Sequence, residues 1–343
     1  MHVGEAGGGD FWEWREQMYH AAEWDAGRYL EHCARVFTEM LEAGITAVGE
    51  FHYLHALGNG LGLAVIGAAE RVGIRLTLLD SCYLRGGLDG RPLEGAQRTF
   101  SDGDAESWKH RIDELSDSDG VRIGAAIHSV RAVDPASMRV VSEWARRRKA
   151  PLHLHLAEQA VEVQECMEVE GCSPTQLLER EGILGPDLTA IHAIHLDDQD
   201  IELLGQNRVT IGACPTTERD LGDRVGPLQG LAAAGCALGV GSDSNAVIDM
   251  IEESRALELD QRRATGRRVL HQPEALLQAA TGGGMSALGW DSGELKPGML
   301  ADFITLSHDL GDGAPLDAAY LIYGLSGRDV TNVVVGGETR VSR

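Results

Sequence analysis

Several things are scarce in this 343-residue chain, and each scarcity excludes something. Aromatic residues make up only 5%, too few for a surface built on stacked rings. Basic residues are outnumbered, 30 Lys and Arg against 53 Asp and Glu, for a formal net charge of −23. That excess of negative charge argues against a nucleic-acid partner, whose phosphates require Lys and Arg. No apolar run approaches the roughly 20 residues of a membrane span. The N-terminal stretch Met1 to Asp10 lacks the basic and apolar regions of a secretory signal. The six cysteines are scattered with no Cys-x-x-Cys pair, so they read as free thiols in a reducing, cytoplasmic setting.

What is present is a large apolar fraction, 43%, together with 43 glycines, which suits a sizeable core with tight turns between strands and helices. Residues 11–43 read as helical, and 45–53 as a strand. Strands are then expected at 75–83, 121–128, 151–156, 188–195, 208–214 and 236–243. Helices are expected between them at 63–72, 105–115, 135–149, 160–181, 198–206 and 226–234. Seven strands alternating with helices imply parallel pairing through right-handed crossovers. Eight would close a barrel, whose chemistry sits at the C-terminal strand ends. Helices at 246–264 and 273–288 follow. The pattern then changes to antiparallel strands at 298–306 and 330–341, a small β domain.

The organising stretch is Leu152-His-Leu-His-Leu-Ala-Glu158. Period-two alternation reads as a buried strand, and buried ionisable groups are costly unless paired or bound to a metal. Polar residues fall at five expected strand ends: Tyr53, His128, His155, His192 and Asp243. Of these, His155, His192 and Asp243 are the candidate ligands for Zn²⁺ or a similar ion. Asp243 has an alternative use as a helix cap. Glu158, three residues past His155, suits a proton shuttle, or else a solvated residue in the first turn of a helix. Arg131, in His128-Ser-Val-Arg131, can grip a carboxylate through its guanidinium fork, or lie on the surface. Arg15 and Tyr53 are weaker candidates.

The order of these motifs, closed by Ala280-Thr-Gly-Gly-Gly-Met-Ser-Ala-Leu-Gly289 and Gly293-Glu-Leu-Lys-Pro-Gly-Met-Leu-Ala-Asp302, resembles the amidohydrolase superfamily. Phe11-Trp-Glu-Trp-Arg-Glu-Gln-Met-Tyr19, Glu50-Phe-His-Tyr53, His153 to Gln159, Thr217-Glu-Arg-Asp-Leu-Gly-Asp223 and Gly241-Ser-Asp-Ser244 resemble, within it, the formimidoylglutamate deiminases. The resemblance runs from about residue 10 to the end. It implies a TIM-like (β/α)8 metal-dependent hydrolase barrel over residues 1–292, with residues 293–343 as the C-terminal part of a small β-sandwich domain.

It further implies one divalent metal, Zn²⁺, held by His155 and Asp243, with Asp243 also taking a proton from water. Glu158 would shuttle a proton, and His192 would polarise or stabilise the tetrahedral intermediate. Arg15, Tyr53, His128 and Arg131 would hold the dicarboxylate end of the substrate. The reaction implied is hydrolysis of N-formimidoyl-L-glutamate to N-formyl-L-glutamate and ammonia, carried out by a cytoplasmic homodimer.

The family's His-x-His pair at the end of the first barrel strand has no counterpart before Ile45. The expectation is therefore a barrel lacking its first strand, with weak metal binding and low activity. Other departures are Arg219-Asp220, Asn245 and a short loop after Tyr53. Two other readings stand beside this one: a deaminase or chlorohydrolase acting on a ring amidine, and a non-catalytic chain that binds a dicarboxylate or a partner subunit.

Overall fold

The computed structural model describes residues 24–307 and 316–343. Seven parallel strands form one sheet in sequential order: β1 (Ala47–His52), β2 (Arg75–Cys82), β3 (Val121–Ile127), β4 (Leu152–Leu156), β5 (Leu188–His192), β6 (Thr210–Ala213) and β7 (Ala237–Val240). The chain reads as a barrel-type α/β fold, as expected, with β1 and β7 at the two edges of the sheet.

The sheet is curled. A flat sheet would hold β1 and β4 about 14 Å apart, three strand spacings. Instead the Phe51 ring of β1 lies 4.6 Å from the His155 ring of β4. Gly49, Phe51 and Tyr53 therefore face the interior. Glu50 and His52 face the outer layer, where His52 lies beside the Tyr29 ring of helix Ala26–Glu42.

Local sequence sets the helix boundaries. Asp134 caps helix Pro135–Arg148 by accepting from Ala136 and Ser137 N–H, with Pro135 at the first turn. Asp25 caps helix Ala26–Glu42, so within the described residues the first helix starts there; the part of the expected 11–43 helix before residue 24 lies outside them. Buried Trp108 and Trp144 meet edge to face at 5.6 Å, locking helix Ala105–Ile112 against helix Pro135–Arg148.

Some expected elements are corrected. The 160–181 helix is two, Ala160–Glu170 and Pro174–Arg180. Gly171 adopts φ 72° and Ser173 caps a new start with Pro174 behind it. The 273–288 helix breaks into Pro273–Gln278, a π-helical turn Ala279–Gly283 and Gly284–Ala287. Its glycines have a packing reason, since a Cβ on Gly283 would stand 2.1 Å from the Leu238 carbonyl oxygen of β7. The 188–195 strand stops at His192, where φ turns positive for His192 and Ala193. Helix Pro215–Asp220, directly after β6, was not anticipated.

A second sheet is antiparallel, in the order β10–β9–β8: β8 (Phe303–Leu306), β9 (Val330–Val335) and β10 (Glu338–Ser342). The expected single strand 330–341 is a hairpin, because Gly336 and Gly337, at φ 61° and 80°, make a two-residue turn. Asp302 ties this sheet to the barrel. It takes a bidentate contact from Arg75 at the start of β2 and the N–H of Gly336. The Gly293–Asp302 motif thus does structural work away from the strand ends that carry the candidate site.

Candidate active site

Each of the seven strands ends in a side chain at one cavity of about 510 Å³. Tyr53 follows β1, Tyr83 follows β2, His128 follows β3, His155 and His192 stand on β4 and β5, Cys214 follows β6 and Asp243 lies past β7. Glu158 and Arg131 line it as well. Parallel strands curled in one direction force this convergence, because all their C-terminal ends open on one side. Backbone strain gathers at the same place: Ala157, His192, Ala193 and Asp243 have φ between 40° and 69°, a region L-residues adopt only when their surroundings hold them there.

The electrostatics centre on His192, which is 1% exposed. Its Nε2 lies 3.5 Å from Glu158 Oε1 and 3.7 Å from Asp243 Oδ2, and its Nδ1 lies 3.2 Å from Glu218 Oε1. Burial disfavours its charge, yet Glu158, Glu218 and Asp243 together outweigh that and raise its pKa to about 10. The carboxylates respond in kind. Burial pushes Glu158 up to about 7, against the pull of His192 and Arg131. Enclosure also raises Asp243, with His192 opposing and Glu218 adding to the rise. A carboxyl poised near neutrality, within reach of an imidazolium, is suited to proton transfer.

His155 differs. Its Nδ1 donates to the His128 carbonyl oxygen at 2.8 Å, which leaves Nε2 as a lone pair. Burial, with His192 nearby, lowers its pKa to about 3, so it stays neutral. Its ring stacks 5.8 Å from that of His192. Neutral His155 and the Asp243 carboxylate are metal-ligand types, and the backbone bond on His155 Nδ1 is the kind that fixes a ligating tautomer, although among the described residues the three ligand atoms that lie within 4.8 Å of one another belong to His192, Cys214 and Asp243 and not to His155. Three carboxylates surrounding one imidazole are also short of positive charge. The residues present therefore fit a divalent cation.

The structure brings together His128, Arg131, His155, Glu158, His192, Asp243 and Tyr53, as well as three residues given no role in the sequence reading. Tyr83 stacks edge to face on His128 at 4.5 Å. Glu218, at the end of the Thr-Glu pair already noted in its motif, holds both His192 Nδ1 and the Cys214 N–H. Cys214 is the third: its sulfur lies within 4.8 Å of ligand atoms of His192 and Asp243, in a strand-end position that period-two patterning alone does not mark as chemical. Arg131 is engaged by protein, its Nε donating to Glu162 at 2.6 Å and its Nη2 lying 3.9 Å from Glu158. Arg219 points away from the cavity to Asp260 and Glu252, and Asn245 accepts from Ser242 Oγ at 2.7 Å. Arg15 lies outside the described residues.

A family profile described as "Amidohydrolase family" matches residues 1–340. The formimidoylglutamate deiminase of Pseudomonas aeruginosa is 34% identical over 351 residues, covering 95% of this chain and 77% of that protein. The 5-methylthioadenosine/S-adenosylhomocysteine deaminase of Natronomonas pharaonis is 30% identical over 316 residues, covering 88% and 68%. Among solved structures, an amidohydrolase from Brucella melitensis superposes with a TM-score of 0.88 at 32% identity, covering 99% of this chain and 80% of that one.

Proposed function

The chain belongs to the amidohydrolase family, and from that premise we propose that it hydrolyses the C–N bond of a linear amidine, converting N-formimidoyl-L-glutamate to N-formyl-L-glutamate and ammonia. The observation that carries the reading is Glu158, a buried carboxyl with a pKa near 7 standing 3.5 Å from the imidazolium of His192 at the strand ends. His155 and Asp243 would hold one divalent metal, with Zn²⁺ favoured by the nitrogen and oxygen donors. When bound, that ion supplies Lewis-acid polarisation and lowers the pKa of water.

The chain's own residues account for the rest. Asp243, partly open to the cavity mouth, accepts a proton from the attacking water. His192, protonated, offers Nε2–H to charge developing in the tetrahedral intermediate. A C–O bond forms at the formimidoyl carbon. Glu158 protonates the terminal nitrogen as its π bond to carbon opens; the proton taken up by Asp243 then passes to the same nitrogen, the added hydroxyl returns its proton to Glu158 as the formyl C=O forms, the C–N bond breaks and ammonia leaves. Arg131, held by Glu162, favours the ionised form of Glu158 between turnovers. His128 and Tyr53, on the wall beside it, face the dicarboxylate end of the substrate.

A homodimer in the cytoplasm is part of the same proposal. The test is ammonia release by the Zn²⁺-loaded chain from N-formimidoyl-L-glutamate, set beside 5-methylthioadenosine and S-adenosylhomocysteine. Release from the amidine that Glu158→Gln abolishes supports the reading. Release from the nucleosides alone would replace it with a ring deaminase.

A further inference from the structure

We propose that Glu253, which does not line the strand-end cavity, is a positioning residue that fixes helix Pro215–Asp220 and, through it, both His192 and the backbone on either side of Asp243. The inference deepens the hydrolase reading above and rests on it. Glu253 is fully buried in the first turn of helix Met250–Thr265. Its Oε2 accepts from the Thr216 N–H at 3.0 Å, and its Oε1 accepts from the Thr216 hydroxyl. Burial, with Glu218 nearby, pushes its pKa up to about 8 against these two bonds, so near neutrality it stands largely as an uncharged acid.

The helix that carries Glu253 does not need this side chain for its own start, since Asp249 accepts from the Ile251 and Glu252 N–H groups. The helix it touches does need an acceptor. Pro215–Asp220 has six residues, and the residue before it, Cys214, makes no side-chain cap hydrogen bond. A helix that short is not stable by itself. Glu253 supplies the missing acceptor from across the fold.

Three consecutive residues of that short helix then divide the work. Thr216 is the anchor. Thr217 Oγ1 donates to the Ser242 carbonyl oxygen at 3.1 Å and accepts from the Ser244 N–H at 3.2 Å, so it grips the chain on both sides of Asp243, whose φ is 40°. Glu218 Oε1 accepts from the Cys214 N–H at 2.9 Å and lies 3.2 Å from His192 Nδ1. A displacement of the helix would therefore move His192 and Asp243 together, and a misplacement of about 1 Å can cost roughly 100-fold in rate.

Glu253→Leu, Glu253→Gln and Thr216→Val test this in the full chain. With ¹⁵N-labelled histidine, before metal or substrate is added, the wild type is expected to show a low-field Nδ1–H resonance from His192 bonded to Glu218, identified by its absence in His192→Gln. Glutamine keeps an acceptor for the Thr216 N–H, so Glu253→Gln should retain the resonance and a kcat within about 3-fold of wild type. Glu253→Leu should lose the resonance and roughly 100-fold in kcat on N-formimidoyl-L-glutamate, with KM changed by less than about 3-fold. Where Glu253→Leu does not fold, Thr216→Val, a smaller lesion, decides: it should broaden the resonance and lower kcat by about 3-fold to 10-fold. A resonance and kcat left intact in the variants, or a loss in Glu253→Gln as large as in Glu253→Leu, would overturn the assignment. A resonance lost as expected, beside a wild type that turns over no amidine, would overturn the substrate reading and leave the anchor standing.

Discussion

Two clusters of buried charge sit on opposite faces of the same curled sheet, and their chemistry is opposite. On the outer face, Asp80 of β2 and Asp102 close around Arg111. Its Nη2 is 2.7 Å from Asp80 and its Nε is 2.6 Å from Asp102. His55 Nδ1 lies 3.2 Å from Asp102, Trp108 donates its indole N–H to Asp80, and Asn59 both accepts from Arg111 and donates to its carbonyl oxygen. Despite burial, both carboxylates are held below their ordinary values.

On the inner face, Glu158, Asp243 and Glu218 crowd one histidine, and the pKa values of Glu158 and Asp243 rise. Burial acts in the same direction on both faces, so it does not distinguish them. The difference is an arginine with all its donors committed on one side, and an excess of acceptors on the other. A closed network of this kind is costly to open, because losing one partner strands the others as buried charge, whereas an acceptor-rich one is prepared for a proton, a cation or a substrate.

Substitutions can break this contrast, beginning with the largest expected effect. Glu158→Gln removes the proton carrier from the open cluster. Turnover should fall by roughly 10²–10⁴, while the denaturation midpoint stays close to wild type; kcat measured beside a urea melt checks both. Arg111→Met opens the closed cluster and strands Asp80 and Asp102 without their cation. A loss of about 3–5 kcal/mol in unfolding free energy is expected, and a loss below about 1 kcal/mol would mean the network contributes little.

Asp102→Asn sharpens the contrast through pH. Burial works against the charge of Asp102, but the His55 and Arg111 contacts prevail and bring its pKa down from 3.8 to about 2. A depressed carboxylate contributes stability above its unfolded value and loses it as pH falls through its folded value. The variant should therefore be less stable than wild type by roughly 2 kcal/mol near neutrality. That difference should shrink between about pH 4 and pH 2, as read from urea melts across that range. Asn59→Ala, which trims the edge of the same network, should cost about 1 kcal/mol.

Much of the architecture was legible in the chain. The alternation of strands and helices, the parallel order and the count of seven all followed from hydrophobic period and turn residues, because those are local signals. His155, His192, Glu158 and Asp243 stood out because ionisable groups at the ends of apolar strands need a reason to be there. Cys214 and Tyr83 did not stand out, since a cysteine or a tyrosine at a strand end is ordinary. Glu218 was masked by a short helix that no period announces. Arg131 read as a carboxylate grip or a surface residue, and its contact with Glu162, 31 positions away, was not visible in the chain. The 160–181 and 273–288 helices were read as continuous because apolar content runs through their breaks, while Gly171 and the Gly283 contact with β7 decide otherwise.

The sequence by itself determined the strand-and-helix rhythm, the small second sheet and the identity of most polar strand ends, all of which follow from nearest-neighbour sterics and periodic burial. Only the tertiary structure decided which charges meet. The curl of the sheet brings the seven strand ends to one mouth, while Asp80, in register with outward-facing His52, meets Arg111 on the other face, so residues of the same type acquire opposite pKa shifts. Coulombic and desolvation effects depend on distances across the fold, and spacing along the chain does not encode those distances.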